Sequence, residues 1–208
     1  HSHYSLLDGV GKIDELIDMA KEHNAPAIAL TDHGAMYGAI EFYQKCRKAG
    51  IKPIIGVEFY VAPNSRHDKR SQTERSYHLI LLAKNEIGYH NLLKLVSIGH
   101  LEGFYYKPRI DWECLEKYSE GLIALSACLS GEIPRLILAG KYNQAKERAM
   151  AHNKLFGEGN YYLELQAHPN LPDQVAANKE LIRLSRETGI PIVATNDVHY
   201  LRAADREV

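Results

Sequence analysis

Ligand-type side chains stand directly after three of the apolar runs in this sequence. In chain order they are Asp32 with His33, then Cys128, then Asp197 with His199. Because the carboxyl ends of parallel strands meet at one edge of a sheet, such side chains are expected to gather there. Imidazole and carboxylate groups gathered in this way are the usual ligands of Zn²⁺, Mn²⁺ or Fe, and one thiolate favours the softer metals. The pattern therefore predicts a metal site at the strand ends.

Two further segments carry residues of the same kind. Glu58 is a carboxylate inside an otherwise apolar strand pattern, where a lone buried charge is costly unless it is paired or binds a metal. His1, His3 and Asp8 stand at the start of the chain. Ligand-type residues would rarely occur in five such segments by chance. We therefore prefer a metal site over a set of unrelated structural residues.

Each residue alone also fits a structural role, and these alternatives stay open. A single histidine is more often structural or on the surface than a metal ligand, and this is how we interpret His23, His67, His100 and His152. Asp8 with Gly9 is also a turn sequence, and Asp32 also fits the start of a helix.

The elements that must position these residues alternate between strand and helix. Apolar runs predict strands at residues 27–30, 52–61, 78–83, 122–127, 161–166 and 192–195. Helical periodicity predicts helices at residues 13–23, 37–49, 89–98, 134–139, 143–156 and 173–188. This alternation is typical of an α/β protein with largely parallel strands. Six strands, with one more expected before His1, suit a small or irregular β/α barrel, and a doubly wound open sheet is the competing topology.

Composition narrows the class of protein further. The chain has 208 residues with 25 Lys+Arg and 26 Asp+Glu, which describes one globular domain or a small pair. The near-zero net charge excludes a polybasic, non-specific DNA clamp but not a local basic rim. No apolar run approaches the roughly 18 residues of a membrane span, and the first residues lack signal-peptide blocks, so we expect a cytoplasmic protein without a membrane partner. Because the chain starts at His1 without Met, we also expect a segment upstream.

The three cysteines do not suggest a disulfide framework. Cys46, Cys114 and Cys128 cannot all pair within one chain, and a domain of this size needs no covalent staple. Cys46 and Cys114 lie in helical patterns and are expected to be structural. Cys128 by itself would be a small buried apolar residue, so only its place after a strand makes it a candidate ligand.

Five longer motifs point to a known family. They are residues 1–9, 29–34, 52–58, 103–111 and 194–201, with the sequences HSHYSLLDG, ALTDHG, KPIIGVE, GFYYKPRID and ATNDVHYL. Together they resemble the PHP (polymerase and histidinol phosphatase) domain at the N-terminus of the alpha subunit of bacterial replicative DNA polymerase III. The resemblance covers essentially the whole chain, and the motifs keep the family's order. It implies that residues 1–208 form one such domain, without the polymerase core of the longer chain.

The resemblance implies a distorted seven-stranded β/α barrel, its first strand truncated here, with up to three divalent metal ions (Zn, Mn or Fe) at the strand ends. Carried over residue by residue, the metal ligands are His1, Asp8, His33, Glu58, His78, Cys128, Asp197 and His199. His1 then matches the second histidine of an opening His-x-His, and reading His1 and His3 as that pair is the alternative. His78 begins its apolar run, so it rests on the family pattern alone. His168 is a candidate neighbour of the site or contact to the substrate.

The implied activity is that of a metal-dependent phosphoesterase that uses a metal-activated water. In a polymerase this would be a 3′→5′ exonuclease that removes a misincorporated nucleotide. Glu58, Asp197 and His199 are the expected catalytic ligands, with Glu58 as a bridge between two ions. The residues expected to hold phosphates are Lys107 and Arg109, and also the loop arginines Arg66, Arg70 and Arg75, for which simple solvation is the alternative.

Two other functions stay open. In the first alternative, the domain is a structural module that docks a separate proofreading subunit, and bound metal stabilises it without any nuclease activity. In the second, it is a small-molecule phosphatase of the histidinol phosphatase branch, although residues 31–34 and 103–111 resemble the polymerase branch instead. In the polymerase interpretation the partners are a DNA 3′ end, the remainder of the alpha chain and the separate proofreading subunit, in the bacterial cytoplasm.

Overall fold

The computed structural model describes residues 1–69, 76–202 and 204–205, so Arg70 and Arg75 lie outside the described residues. The strands in the described part are β1 (Ala27–Leu30), β2 (Lys52–Val61), β3 (Tyr77–Ala83), β4 (Arg109–Ile110), β5 (Leu122–Leu125), β6 (Tyr161–Gln166) and β7 (Ile192–Thr195). The helices are α1 (Ile13–Glu22), α2 (Ala39–Ala49), α3 (Glu86–Leu101), α4 (Trp112–Tyr118), α5 (Glu132–Leu138), α6 (Tyr142–Phe156) and α7 (Pro172–Thr188). The six predicted strands and six predicted helices are thus confirmed, and the short β4 and α4 are elements that these predictions do not include.

The strands form one curled sheet that makes half of a barrel. Along the hydrogen-bonded path the order is β1-β2-β3-β5-β6-β7, and β4 pairs with β2. The two ends of this path are β1 and β7. The predicted α/β class and distorted seven-stranded barrel are therefore confirmed, and the doubly wound sheet is not the topology that the chain adopts.

The strands are largely parallel, as predicted, and one strand, β3, runs against its neighbours. β3 pairs antiparallel with β2 and with β5, whereas the β1–β2, β2–β4, β5–β6 and β6–β7 pairs are parallel. Antiparallel neighbours can be joined by a loop, but parallel neighbours need a longer crossover, usually a helix. The described residues between β2 and β3 contain no helix. Because β3 is reversed, it begins at the edge where β2 ends, and His78 there pairs with Tyr60.

Two clusters of buried apolar side chains hold the helices on the sheet. The larger cluster joins the central strands to the helices that follow them and includes Val57, Phe59, Leu81, Leu92, Leu115, Leu163 and Leu181. The smaller cluster joins α1 and α2 to β1 and includes Ile13, Ile17, Leu30, Phe42 and Cys46. Each large apolar side chain that is buried in this way contributes about 1.5–3 kcal/mol. The sheet edge that carries the polar residues is therefore supported by a rigid framework.

Two of the cysteines lie within these clusters. Cys46 and Cys114 are buried and unpaired, as their helical positions predict. Burial raises the pKa of both thiols to about 11, so they stay protonated and unreactive near neutral pH. In the described part of the chain, no helix combines the length and the apolar character that crossing a membrane requires.

Candidate metal centre

The pairing of β1 with β2 continues past the end of β1 and brings His33 beside Glu58. The Glu58 N–H donates to the Asp32 carbonyl at 3.2 Å, and the Gly34 N–H donates to the Glu58 carbonyl at 2.9 Å. His33 and Glu58 therefore form an isolated parallel bridge. Their side chains face each other, with 3.7 Å between His33 Nδ1 and Glu58 Oε1.

The first residue of the chain, His1, also contacts Glu58. His1 Nε2 lies 3.0 Å from Glu58 Oε2 and 3.3 Å from Asp197 Oδ1. His1 Nδ1 lies 3.0 Å from the Ser5 hydroxyl, which itself donates to Asp32 at 2.7 Å. Because the Ser5 hydrogen is directed to Asp32, its oxygen accepts from the Nδ1–H group of His1. That contact leaves Nε2 aimed at the carboxylates, which is how a second hydrogen bond commonly orients a metal-binding histidine.

Asp8 lies in the loop before α1 and contacts both His33 and His199. Its Oδ2 atom lies 2.6 Å from His33 Nε2 and 3.2 Å from His199 Nε2. The other ring nitrogen of His199 lies 2.7 Å from the Asp197 carbonyl oxygen, which fixes the ring. The ring centroids of His1 and His199 are 4.6 Å apart.

His78 and Cys128 complete the cluster on the side of the reversed strand. His78 Nδ1 is hydrogen-bonded to Glu58 Oε1. Cys128 Sγ lies 3.7 Å from the same nitrogen of His78. All eight side chains that the family pattern indicates are therefore connected in one cluster, and Glu58, only 2% exposed, is its centre.

The cluster suits divalent metal ions by the chemistry of its donors. Three groups of side chains each offer ligand atoms within 4.8 Å of one another: His1 with His33 and His199, His33 with Glu58 and His78, and His1 with Glu58 and Asp197. Moreover, His33 Nδ1 is buried without a hydrogen-bond partner in the described chain. A buried, unpartnered imidazole nitrogen is costly, and a cation would satisfy it. The residues thus fit a cluster of metal ions.

The charges in this cluster compensate one another. Burial would raise the pKa of Glu58, but hydrogen bonds from His1 and His78 outweigh it and hold that pKa well below its usual range. Burial would lower the pKa of His1, but hydrogen bonds to Asp197 and Glu58 raise it to about 10. Burial and the nearby Glu58 carboxylate raise the pKa of Cys128 to about 12. The Cys128 thiol is therefore protonated unless a bound cation favours the thiolate.

A buried carboxylate that does not belong to the cluster fixes the loop that carries His1 and Asp8. Asp32 is 1% exposed. It accepts hydrogen bonds from the Ser2 N–H group at 2.6 Å, the Ser2 hydroxyl at 2.9 Å and the Ser5 hydroxyl. The sequence pattern gives Asp32 as a ligand-type residue beside His33 or as a residue at the start of a helix. Its actual role is to hold the N-terminal loop against the end of β1.

Gly9 lies where the same loop folds back on itself. A Cβ atom at Gly9 would lie 2.3 Å from the Ser2 carbonyl oxygen, which is too close for any side chain. We expect Gly9→Ala to displace the loop between His1 and Asp8 and to lower the free energy of unfolding by about 1–3 kcal/mol. Gly11→Ala is the matched control, because the nearest atoms to its Cβ would be at an ordinary 3.5 Å. Urea unfolding measures both, and equal stability of the two variants would contradict the prediction.

Among non-glycine residues of the described chain, left-handed backbone occurs mostly beside the site. The non-glycine residues with positive φ are Leu7, Asn24, Tyr106, Ala127 and Asp197. Four of these five are members of the predicted site or precede one of its members directly, and only Asn24 lies away from it. Such conformations are unfavourable for side chains with a Cβ atom and often mark functional sites.

The two predicted phosphate-binding residues differ in their surroundings. Lys107 Nζ lies 5.4 Å from the ring centroid of Tyr60, at the rim of the cluster. Arg109 is 6% exposed and donates to the carbonyls of Gly103, Arg66 and Asp68. Its guanidinium group therefore holds loops together, so we retain phosphate binding as a proposal for Lys107 alone.

Arg66 is likewise engaged within the protein. It forms ion pairs with Glu102 at 2.9 Å, with Asp111 at 3.0 Å and with Glu113 at 3.1 Å. These pairs tie the loop after β2 to the ends of α3 and α4. The sequence allows Arg66 either to be solvated or to bind a phosphate. In the structure its guanidinium group is instead held by these ion pairs.

The other histidines of the described chain belong to none of the three ligand groups. The ring of His3 packs on Tyr4, with 4.3 Å between their centroids. His168 lies half-buried in the loop after β6. His152 is buried against Trp112 and Tyr161 and lies 3.2 Å from Glu132, which agrees with a structural role.

The chain is similar to known proteins along its whole length. Residues 1–168 match the family model of the PHP domain. The chain is 56% identical over 207 residues to the DNA polymerase III subunit alpha of Borreliella burgdorferi and 50% identical over 207 residues to that of Treponema pallidum. Each alignment covers 99% of this chain but only 18% of the relative, so the chain spans less than a fifth of these curated proteins.

A solved structure shares the fold. It is a protein of Bifidobacterium adolescentis, provisionally described as a metal-dependent phosphoesterase, and it superposes with a TM-score of 0.55 at 13% identity. The superposition covers 93% of this chain and 84% of that one. At this level of identity the likeness establishes the fold alone.

Proposed function

This chain belongs to the PHP domain family, and from that premise we propose that it is a metal-dependent phosphoesterase that removes nucleotides from the 3′ end of DNA. Its relatives are alpha subunits of DNA polymerase III, so the activity would serve proofreading in the bacterial cytoplasm. The single observation that carries the proposal is the cluster around Glu58, in which eight ligand-type side chains are connected. A domain that binds no metal would have no need for so many ligand-type side chains around one buried carboxylate.

The proposed metal ligands are the eight members of the cluster: His1, Asp8, His33, Glu58, His78, Cys128, Asp197 and His199. Divalent Zn, Mn or Fe ions bound there would lower the pKa of a coordinated water and polarise the phosphoryl group. Glu58, Asp197 and His199 act as catalytic ligands, with Glu58 reaching both sides of the cluster. Burial keeps competing water away from Glu58 and His1. The Lys107 ammonium group contributes the positive charge that pairs with a phosphate oxygen.

Asp197→Asn tests the proposed activity. The variant keeps the shape of the side chain but removes its negative charge, so the release of nucleotides from a single-stranded 3′ end is expected to fall at least about 100-fold. The assay follows a 3′-labelled oligonucleotide in Mn²⁺ or Zn²⁺. Asp14→Asn is the control, because Asp14 is exposed and pairs only with Lys45 in the described structure. Equal rates for wild type and Asp197→Asn would exclude a nuclease at this site.

A structural role within a longer polymerase chain is the second candidate. An exposed groove of about 510 Å³ between α2 and α3 is lined by apolar side chains that include Ile40, Tyr43, Ile55 and Tyr89. Because more than four-fifths of each curated relative lies outside the matched region, we propose that the remainder of the alpha chain covers this groove. In that case, metal removal would lower the Tm of this protein, although the protein has no nuclease activity. A separate proofreading subunit would then supply the nuclease activity.

A further inference from the structure

A cleft opens directly above the metal ligands Asp8 and His33. It has a volume of about 400 Å³, and Leu7, Tyr37, Tyr60 and Lys107 also line it. This volume suits one nucleoside and is larger than a phosphate group alone requires. The walls of the cleft are therefore expected to recognise the organic part of a substrate whose phosphate lies at the ligands.

An exposed row of three rings borders the cleft. Tyr37 and His100 line the cleft, and Phe104 lies beside His100 outside the lining. The ring centroids of Tyr37 and His100 are 6.5 Å apart, and those of His100 and Phe104 are 6.3 Å apart. Tyr37 is 62% exposed. Large aromatic surfaces that are left in solvent beside a polar site are typical of surfaces that bind a ligand, and proteins that bind single-stranded nucleic acid stack bases on such rings beside cationic groups.

The row is attached to the same loop that carries His33. His100 Nε2 lies 3.0 Å from the Gly34 carbonyl oxygen. Pro108 packs so closely on Gly34 that a Cβ there would lie 2.6 Å from Pro108 Cγ. A base on the row would therefore keep a fixed position relative to the metal ligands.

A positive charge lines the same cleft beside the cluster. Lys107 Nζ is 5.4 Å from the ring centroid of Tyr60, whose ring is 5.7 Å from that of His33. Aromatic rings, a cation and the proposed metal ligands thus face one cleft. These groups suit the base, the phosphate and the scissile bond at the end of a single strand.

We propose that Tyr37 stacks the terminal base of single-stranded DNA while Lys107 pairs with the phosphate of that nucleotide. This inference rests on the proposed function and names the residues that recognise its substrate. Tyr37 is a specificity residue, because it contacts the base and not the reacting atoms. It selects a nucleotide end over a phosphate ester without a base.

The test compares oligonucleotides that end in a normal nucleotide or in an abasic tetrahydrofuran residue. Wild type is expected to cleave the normal end with a kcat/KM about tenfold higher, the order of magnitude of one base stacked on an aromatic ring. Tyr37→Ala is expected to lose this preference and keep the rate on the abasic end, whereas Tyr37→Phe keeps both. Tyr43→Ala is the matched control, because Tyr43 is an exposed tyrosine that lines the groove between α2 and α3 instead.

Binding without turnover separates this inference from the proposed function. In chelator, a 3′-terminal 2-aminopurine is expected to lose fluorescence on wild type and on Tyr37→Phe, but not on Tyr37→Ala. This result in a protein without nuclease activity would refute the proposed function and support the base-stacking cleft. A preference for the normal end that persists in Tyr37→Ala would overturn the inference while leaving the nuclease in place. Unchanged fluorescence on wild type would also overturn it.

Discussion

Replacing Glu58 by glutamine is expected to remove most of the stabilisation that divalent metal ions give to this domain. At a Mn²⁺ concentration 100 times Kd, one bound ion stabilises the folded state by about 2.7 kcal/mol. For a domain of this size that corresponds to an increase in Tm of about 5–11 °C. Glu58 contacts His1, His33 and His78, which is more histidines of the cluster than Asp8 or Asp197 contacts.

The amide of glutamine has one oxygen in place of two and carries no charge. We expect Glu58→Gln to weaken Mn²⁺ binding about 100-fold or more, which leaves an increase of only about 1–2 °C at the same Mn²⁺ concentration. Differential scanning calorimetry with and without Mn²⁺ measures the difference for each variant. Because only this difference is compared, a change in the stability of the metal-free variant does not confuse the result.

Glu164→Gln is the matched control for this experiment. Glu164 is also a buried strand carboxylate, but its hydrogen bonds are to Thr195 and Gln166. The control is expected to keep the full metal-dependent increase in Tm. A full increase in Glu58→Gln would show that metal ions bind elsewhere or without this carboxylate.

The second large effect is expected from Asp32→Ala. The substitution leaves three buried donors, on Ser2 and Ser5, without their acceptor. Unsatisfied buried donors cost about 1–3 kcal/mol each, part of which water recovers when the loop moves, so we expect a loss of about 3 kcal/mol in the free energy of unfolding. For this chain length the Tm would fall by about 6–12 °C. Urea unfolding in chelator measures the loss without any contribution from metal.

Two other variants keep this prediction falsifiable. Asp32→Asn retains one acceptor oxygen and the shape of the side chain, so it is expected to lose about half as much stability. Asp18→Ala, on the exposed face of α1, is expected to change stability by less than about 0.5 kcal/mol. If Asp32→Ala were as stable as Asp18→Ala, the hydrogen bonds to Asp32 would not hold the N-terminal loop.

Residue types and strand periodicity predicted much of this fold and of its polar edge. Asp32, His33, Cys128, Asp197 and His199 follow strands, and the parallel pairing of most strands brings those ends together. The prediction needed no knowledge of side-chain contacts, because parallel strands in one sheet deliver their carboxyl ends to the same edge.

His78 marks the limit of that argument. It begins its apolar run, so a rule based on strand ends places it at the opposite edge of a parallel sheet. Strand direction depends on the connection between β2 and β3 and on long-range pairing, which local periodicity does not encode. The reversal of β3 resolves the discrepancy, since it carries His78 to the edge where Glu58 lies.

The roles of the charged residues were harder to predict for a related reason. Lys107 and Arg109 are two residues apart in one motif, yet Arg109 is buried among carbonyl groups and Lys107 lies at the rim of the cluster. A positive charge in a sequence does not reveal whether carbonyl oxygens or solvent will surround it. The same holds for Asp32, whose function depends on donors about 30 positions away in the chain.

The left-handed residues beside the site bear on attempts to make this domain more heat resistant. Leu7, Tyr106 and Ala127 each adopt a conformation that costs about 1–2 kcal/mol for a residue with a Cβ atom, and glycine would relieve that steric cost. Each of them directly precedes a side chain with a proposed role: Asp8, Lys107 or Cys128. Glycine would also release the backbone that aims these side chains. Thermostabilisation at these positions is therefore expected to be gained at the expense of turnover, and α1, α6 and α7 offer safer positions for it.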